Sequence, residues 1–381
     1  MRILVIAESL NPENGWGTIA RHTVTGLQER GHTVFALLHE ATARPICKEM
    51  TGLPAATAAV DSRLARWKTA RRERKAIRKW KPDVLHVAVE PYALGLPMAG
   101  RFRRLPPWLL ILLGTYTVLP FEYRSTRGLM QKVYKKAGAL LACSMYTRDR
   151  AFAAIETHCG AEFRADVEKR TELFRLGTDE RPTERSASAK GEPKRVLFVG
   201  MVKPRKGVLE LVQACAAFKG RSSVPFHLDI IGDFREEHPY IRQIRETIRN
   251  RGLETNVTLR GHVSRSDVEE AYNRADLFAM LSKPDGINFE GFGMVFLEAN
   301  ARGIPVIGPN GSGCREAIDD GISGYVADPD DAEAVAERMR RILEENRIRA
   351  EDCRAWAKKH SIGAQTAAFE AAYLRMRPID A

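Results

Sequence analysis

The chain has 381 residues, 44% hydrophobic and 28% charged, enough for two domains with separate cores and ordinary for a protein in water. Six cysteines stand far apart with no C-x-x-C pair, which excludes a disulfide frame and a zinc ribbon. The net charge of +12 belongs to the first half: residues 1–186 hold 31 Lys and Arg against 19 Asp and Glu, and the remainder is balanced.

The first strand reads "RILVIA" (2–7), in an opening too short before its first acid to be a signal peptide. The longest apolar run, "WLLILLG" (108–114), falls well short of the roughly 20 residues a bilayer span needs. A cytoplasmic protein is therefore expected. After the first strand, "NPENGWGTIARH" (11–22) places Gly15 and Gly17 ahead of a helix. "TVFALL" (33–38) is the second strand. Then comes "RLARWKTARRERKAIRKWK" (63–81), with ten basic residues and one acid. Leu64, Trp67, Ala70, Ile77 and Trp80 recur at near-helical spacing, so a helix packing that stripe on a sheet is expected. Arg71, Arg72, Arg74, Lys75, Arg78 and Lys79 form its basic side, suited to anionic lipid or an acidic, lipid-linked substrate. No nucleic-acid-binding motif accompanies the charge, and no nucleic-acid partner is expected.

"DVLHVA" (83–88), "LLILL" (109–113) and "ALLAC" (139–143) complete the first set of strands. Residues 181–194, "RPTERSASAKGEPK", read as a linker. The pattern then restarts with "RVLFVG" (195–200), "HLDIIG" (227–232), "VTLRG" (257–261), "LFAML" (277–281), "PVIG" (305–308) and "GYVA" (324–327). Strands apolar on both faces, alternating with helical patterns, imply parallel sheets covered by helices. The fold class is thus α/β, with two Rossmann-like doubly wound domains facing across a cleft. Their bounds are 1–180 and 195–360, with 361–381 a helical segment packing back on the first.

Three elements carry chemistry. After the strand ending at Gly200, the loop holds Lys203, Arg205 and Lys206 before a helix, a natural anion pocket. In "NFEGFGMVFLE" (288–298), Gly291 and Gly293 let backbone approach a ligand, while the first amides of the following helix are free donors. Glu290 and Glu298 flank that turn, where they would reach different parts of one extended ligand. A third loop, "GPNGSGCREAIDDGISGYVADPDD" (308–331), adds glycines and Glu316. Its "DPD" (328–330) matches a metal-binding Asp-x-Asp but precedes a helix, where aspartates cap, so no metal is expected.

Together "NGWGTIARH", "DVLHV", "CSMYTRD", "RLGTD", "FVGMVKPRKG", "VTLRGHV", "EGFGMVFLEANARGIPVIG" and "DDGISGYVADPDD" resemble the family-4 retaining glycosyltransferases of the GT-B fold, along nearly the whole chain. The resemblance implies hexose transfer from a nucleotide diphosphate sugar, with a lean to GDP-mannose over UDP-hexoses. The acceptor would be a glycan or lipid-linked molecule in lipopolysaccharide or capsule synthesis, at the inner membrane face. No cofactor is implied; the sugar nucleotide is a co-substrate. Glu290 would attend the donor sugar and Glu298 the ribose hydroxyls. Lys206 and the amides around Phe292, Gly293 and Met294 would hold the diphosphate, the base would lie near Gly261, His262 and Val263, and Gly17 would shape the donor and acceptor site. Two positions depart from the family pattern: Met201 replaces a usual arginine, and Leu113 or Gly114 a frequent histidine. Lys203 or Arg205 would supply the missing cation, and His86 or His22 the missing imidazole. Two other readings stay open: a non-catalytic sugar-nucleotide or membrane-surface binding protein, and a dinucleotide-dependent oxidoreductase.

Overall fold

The computed structural model describes residues 1–100, 105–179 and 191–376. Most of the expected linker, 181–190, lies outside them, as does the terminal 377–381. The chain divides into two compact units, one joining Met1–Gly177 to the segment beginning at Ser361, the other Thr178–His360.

The first unit is built on seven parallel strands: β1 (Arg2–Ala7), β2 (Thr33–Leu38), β3 (Lys48–Met50), β4 (Val84–Val87), β5 (Trp108–Leu112), β6 (Ala139–Ala142) and β7 (Thr171–Leu173). Their order is β3-β2-β1-β4-β5-β6-β7. Ile3 pairs with Val34 on one side and Val84 on the other. The winding therefore reverses between β1 and β4, and the loops leaving those two strands part to opposite faces. Ile3, Leu4, Val5, Ile6 and Ala7 have no exposed surface, which only helices on both faces can bring about.

The second unit holds β8 (Lys194–Val199), β9 (Phe226–Ile231), β10 (Val257–Gly261), β11 (Leu277–Ala279), β12 (Val306–Pro309) and β13 (Gly324–Ala327). They too are parallel, in the order β10-β9-β8-β11-β12-β13, with the reversal between β8 and β11. The helix Ile362–Met376 belongs to the first unit. There Phe369 and Tyr373 are fully buried, and Gln365 accepts the Gly177 amide at 2.7 Å.

The basic helix forms over Arg63–Trp80, with Ser62 as its cap. Its inner face differs from the expected stripe. Ala65, Arg66, Thr69, Ala70, Glu73, Ala76 and Trp80 are buried, whereas Leu64 and Trp67 are 59% and 44% exposed. Small side chains let this helix lie close to the turn Glu90–Gly95: a Cβ added to Gly95 would sit 2.6 Å from a Glu73 carboxylate oxygen. Close packing decides the buried face, and the two large apolar residues stay outside. Arg71, Lys75, Arg78 and Lys79 are exposed, while Arg72 and Arg74 are half-buried. Among the described residues no helix is long and apolar enough to cross a membrane.

Candidate functional site

The reversal point of the second sheet gathers the residues expected to bind an anion. β8 runs into the turn Pro204–Lys206, and Gly207 opens the helix Val208–Arg221. Gly207 has a φ of 69°, and a Cβ there would lie 1.9 Å from the Leu281 carbonyl oxygen. Only glycine lets this loop settle on the one that leaves β11. The Lys283 amide then donates to the Arg205 carbonyl at 2.9 Å, tying the two loops together.

Across this junction Arg205 and Lys206 both donate to the same oxygen of Glu290, Oε2, each at 2.7 Å. Burial pushes the Glu290 carboxyl up, but the two cations outweigh it and hold the group below its ordinary value. Lys203 is shifted down by burial and by its neighbours Arg205 and Lys206. Two cations thus share one carboxylate oxygen with a third, Lys203, on the same loop, leaving capacity for a further anion.

Beyond Glu290 the chain turns through Gly293, whose φ is 84°, into the helix Met294–Ala301. Among the described residues no side chain caps that helix, so its first amides are left as donors. Phe292 is buried, and the loop from 308 closes against the turn, with the Gly313 amide donating to the Glu290 carbonyl at 3.2 Å. Glu298 lies farther along the helix in a different setting. Burial raises its carboxyl, Arg302 opposes the rise and Glu269 adds to it. Arg302 stacks 4.7 Å over the Tyr272 ring and pairs with Glu269.

Gly200, at the end of β8, donates to the Ile231 carbonyl at 2.9 Å; Gly232 donates likewise to Gly261 at the end of β10. His262 and Val263 follow directly, and His262 is exposed with Nδ1 3.2 Å from the Asp233 carboxylate. Met201 is 55% exposed. The helix Ala332–Leu343 is capped by Asp331, the residue after the "DPD" stretch, while within the stretch Asp328 accepts the Asp330 amide and Asp330 pairs with Lys283. Among the described residues no cluster of three or more His, Cys, Asp or Glu could hold a metal ion.

In the first unit Gly15 is exposed and Gly17 is buried against the Asn11 carbonyl, with Asn14 accepting the Gly17 amide at 2.9 Å. His86 is corrected as a candidate. It has no exposed surface, its Nδ1 lies 2.6 Å from the Tyr373 hydroxyl, and its ring packs on Phe369. Burial pushes its imidazole down to about 3. The helix Ile362–Met376 seals it, so no substrate reaches it and it carries no charge near neutrality. His22 is engaged by the Gly177 carbonyl at 3.0 Å.

Sequence reasoning passed over the acids at the first unit's own reversal point, Glu8 after β1 and Glu90 after β4. Their signal was available: an acid closely following an apolar strand.

Two family models match the chain. That described as "Glycosyl transferases group 1" matches residues 180–360, and "Glycosyl transferase 4-like domain" matches 14–155. A Mycobacterium tuberculosis protein, named as GDP-mannose-dependent alpha-(1-6)-phosphatidylinositol monomannoside mannosyltransferase, is 30% identical over 232 residues, 57% of this chain and 55% of its own length. A Salmonella typhimurium protein named as a putative colanic acid biosynthesis glycosyltransferase is 32% identical over 170 residues, 44% of this chain and 40% of its own length. The chain thus spans about half the length of these relatives or less. Among solved structures, Anabaena HepE in complex with UDP-glucose superposes with a TM-score of 0.72 at 18% identity, covering 98% of this chain and 100% of that one, a likeness of fold.

Proposed function

The chain belongs to the family-4 glycosyltransferases of the GT-B fold, and from that membership we propose that it transfers a hexose from a nucleoside diphosphate sugar to a glycan or lipid-linked acceptor, with retention at the anomeric carbon. The observation that carries the proposal is the meeting of Arg205 and Lys206 on one oxygen of Glu290 beside an uncapped helix start. A diphosphate would accept hydrogen bonds from those cations and from the amides at 294 and 295. Glu290 would then turn to the donor sugar, and Glu298 would hold the ribose hydroxyls. Charge developing on the leaving diphosphate would meet Lys203, Arg205 and Lys206, so a divalent ion is not needed to neutralise it. Lys203 and Arg205 cover for the absent arginine at Met201. No imidazole is assigned a role.

GDP-mannose is the first donor to try, because the mycobacterial relative is named for it; UDP-hexoses are the second. The acceptor would belong to the first unit, where Gly17 shapes the loop after β1. The exposed Arg71, Lys75, Arg78 and Lys79, with Leu64 and Trp67 beside them, suit peripheral contact with an anionic membrane. The test is calorimetric titration with GDP and UDP, followed by donor turnover with a chelator present. Micromolar nucleoside diphosphate affinity with hexose release supports the reading. Affinity without turnover favours a binding protein, and no affinity for either nucleotide ends the proposal.

A further inference from the structure

The reversal point of the second sheet is cationic; that of the first is acidic, although the first half of the chain holds the entire positive excess. Glu8 directly follows β1 and is half-exposed. Its Oε2 accepts from the Ala56 amide at 2.9 Å and from the Tyr92 hydroxyl, which fixes the carboxylate in place. Glu90, three residues after β4, has no exposed surface. Its Oε1 accepts from the Leu113 amide at 2.7 Å and from the Thr117 hydroxyl at 2.8 Å, while its Oε2 has no hydrogen-bond partner among the described residues. Glu90 therefore anchors the turn that carries β5 into the helix Thr115–Glu122. On that helix Tyr116 packs its ring against Trp16, with centroids 5.0 Å apart and planes at 56°, and both rings are half-exposed.

The loops leaving β1, β4 and β5 thus bring two aromatic faces and a fixed carboxylate to the place where ligands enter open α/β sheets. Burial raises the Tyr116 phenol, and the charges of Asp61, Glu8 and Glu90 add to the rise. A carboxyl group accepts from a sugar hydroxyl when ionised and donates to one when protonated. Toward a phosphate it is repulsive, and repulsion of this kind sets specificity as effectively as attraction. An aromatic face packs on the C–H face of a pyranose while the ring hydroxyls reach polar groups at its rim.

We propose that this crevice binds the acceptor as an uncharged sugar ring, stacked on Trp16 and Tyr116 and hydrogen-bonded to Glu8, and that it excludes sugar phosphates. Glu90 is a positioning residue, acting through the turn at 113–117. The word acceptor rests on the glycosyltransferase reading; the preference among sugars rests on the side chains alone.

Saturation-transfer NMR on the full chain tests it, with methyl α-mannoside, methyl α-glucoside, mannose 6-phosphate and glucose 6-phosphate as probes. Only transfer that Trp16→Ala removes is assigned to this crevice, and circular dichroism checks that the variant folds. The expected result is transfer to the neutral rings with affinity about tenfold or more above that of the phosphates. Glu8→Lys, which leaves the aromatic pair in place and whose fold is checked by circular dichroism in the same way, is expected to bring the phosphates level with or ahead of the neutral rings. Phosphates bound as well as neutral rings by the unaltered chain overturn the proposal. So do neutral-ring signals that survive Trp16→Ala, the absence of any neutral-ring signal, or an unchanged preference in Glu8→Lys. Failure of GDP and UDP to bind would instead remove the glycosyltransferase reading and leave the sugar contrast to stand on its own result.

Discussion

Glu290 and Glu298 are both acids in one short segment, yet their surroundings push them in opposite directions. Arg205 and Lys206 keep Glu290 ionised, whereas burial raises Glu298. Replacing Glu290 with Gln removes a competitor for two cations while sparing its shape. Nucleoside diphosphate affinity is expected to rise roughly two- to fivefold, and donor turnover to fall about 100-fold. Titration calorimetry and a turnover assay on the same sample check the opposite signs; unchanged turnover removes Glu290 from the chemistry. Glu298→Ala has the other signature. It is expected to weaken nucleoside diphosphate binding by about 1.5–3 kcal/mol through lost charge-assisted hydrogen bonds, and an unaltered dissociation constant rejects the ribose role. The glycines, the cations and this acid pair were legible because each stands in a short contiguous motif. The sharing of one oxygen by Arg205 and Lys206 was not, since it depends on how two loops 84 residues apart settle on each other.

Among the elements, the helix Arg63–Trp80 carries two liabilities with different readouts. On its inner face Glu73 has no exposed surface, and among the described residues neither carboxylate oxygen has a hydrogen-bond partner. Burial raises it well above the ordinary value of 4.5. The folded chain therefore keeps a proton that the unfolded chain releases above about 4.5. Stability contributed at lower pH is lost as pH rises from there toward the raised value, by at most about 1.4 kcal/mol per pH unit. Glu73→Gln abolishes that slope. Urea midpoints of the variant and the parent are expected to agree near pH 4 and to favour the variant increasingly toward pH 7; parallel curves would show that Glu73 finds a partner in solution. On the outer face, changing Arg71, Lys75, Arg78 and Lys79 to Ser removes about 1 kcal/mol of attraction each near an anionic surface. Co-sedimentation with phosphatidylserine vesicles is expected to fall sharply while nucleoside diphosphate binding is kept. Vesicle binding that survives leaves the helix a structural role only.

Eleven strands were legible as apolar runs, and β3 and β7 were not. Their sequences, "KEM" and "TEL", are three residues long at the sheet edges, and no apolar run marks them. The outward placement of Leu64 and Trp67 escaped notice for a related reason. Spacing indicates which residues share a helix face, but the close approach of Thr69, Ala70 and Glu73 to Gly95 selects their face as the inner one.

At the scale of the molecule, the first unit is discontinuous in sequence. Its core at His86 and Phe174 is covered by Phe369 and Tyr373, which lie beyond the whole second unit. Each fully buried aromatic side chain contributes about 1.5–3 kcal/mol, so a chain ending at residue 360 loses several kcal/mol from the first unit and little from the second. Limited proteolysis of that truncation is expected to leave a resistant fragment of about residues 191–360 and to degrade 1–177. Equal resistance of both parts would mean that the last helix is dispensable.

The ribosome meets the same constraint in time. Residues 1–177 emerge before the second unit, yet their hydrophobic centre waits for a cover translated after it, so the later-made unit is free to finish folding before the earlier one closes. Synthesis thus runs against the usual order of maturation, and the nascent amino-terminal half spends the interval with an aromatic face open to chaperones.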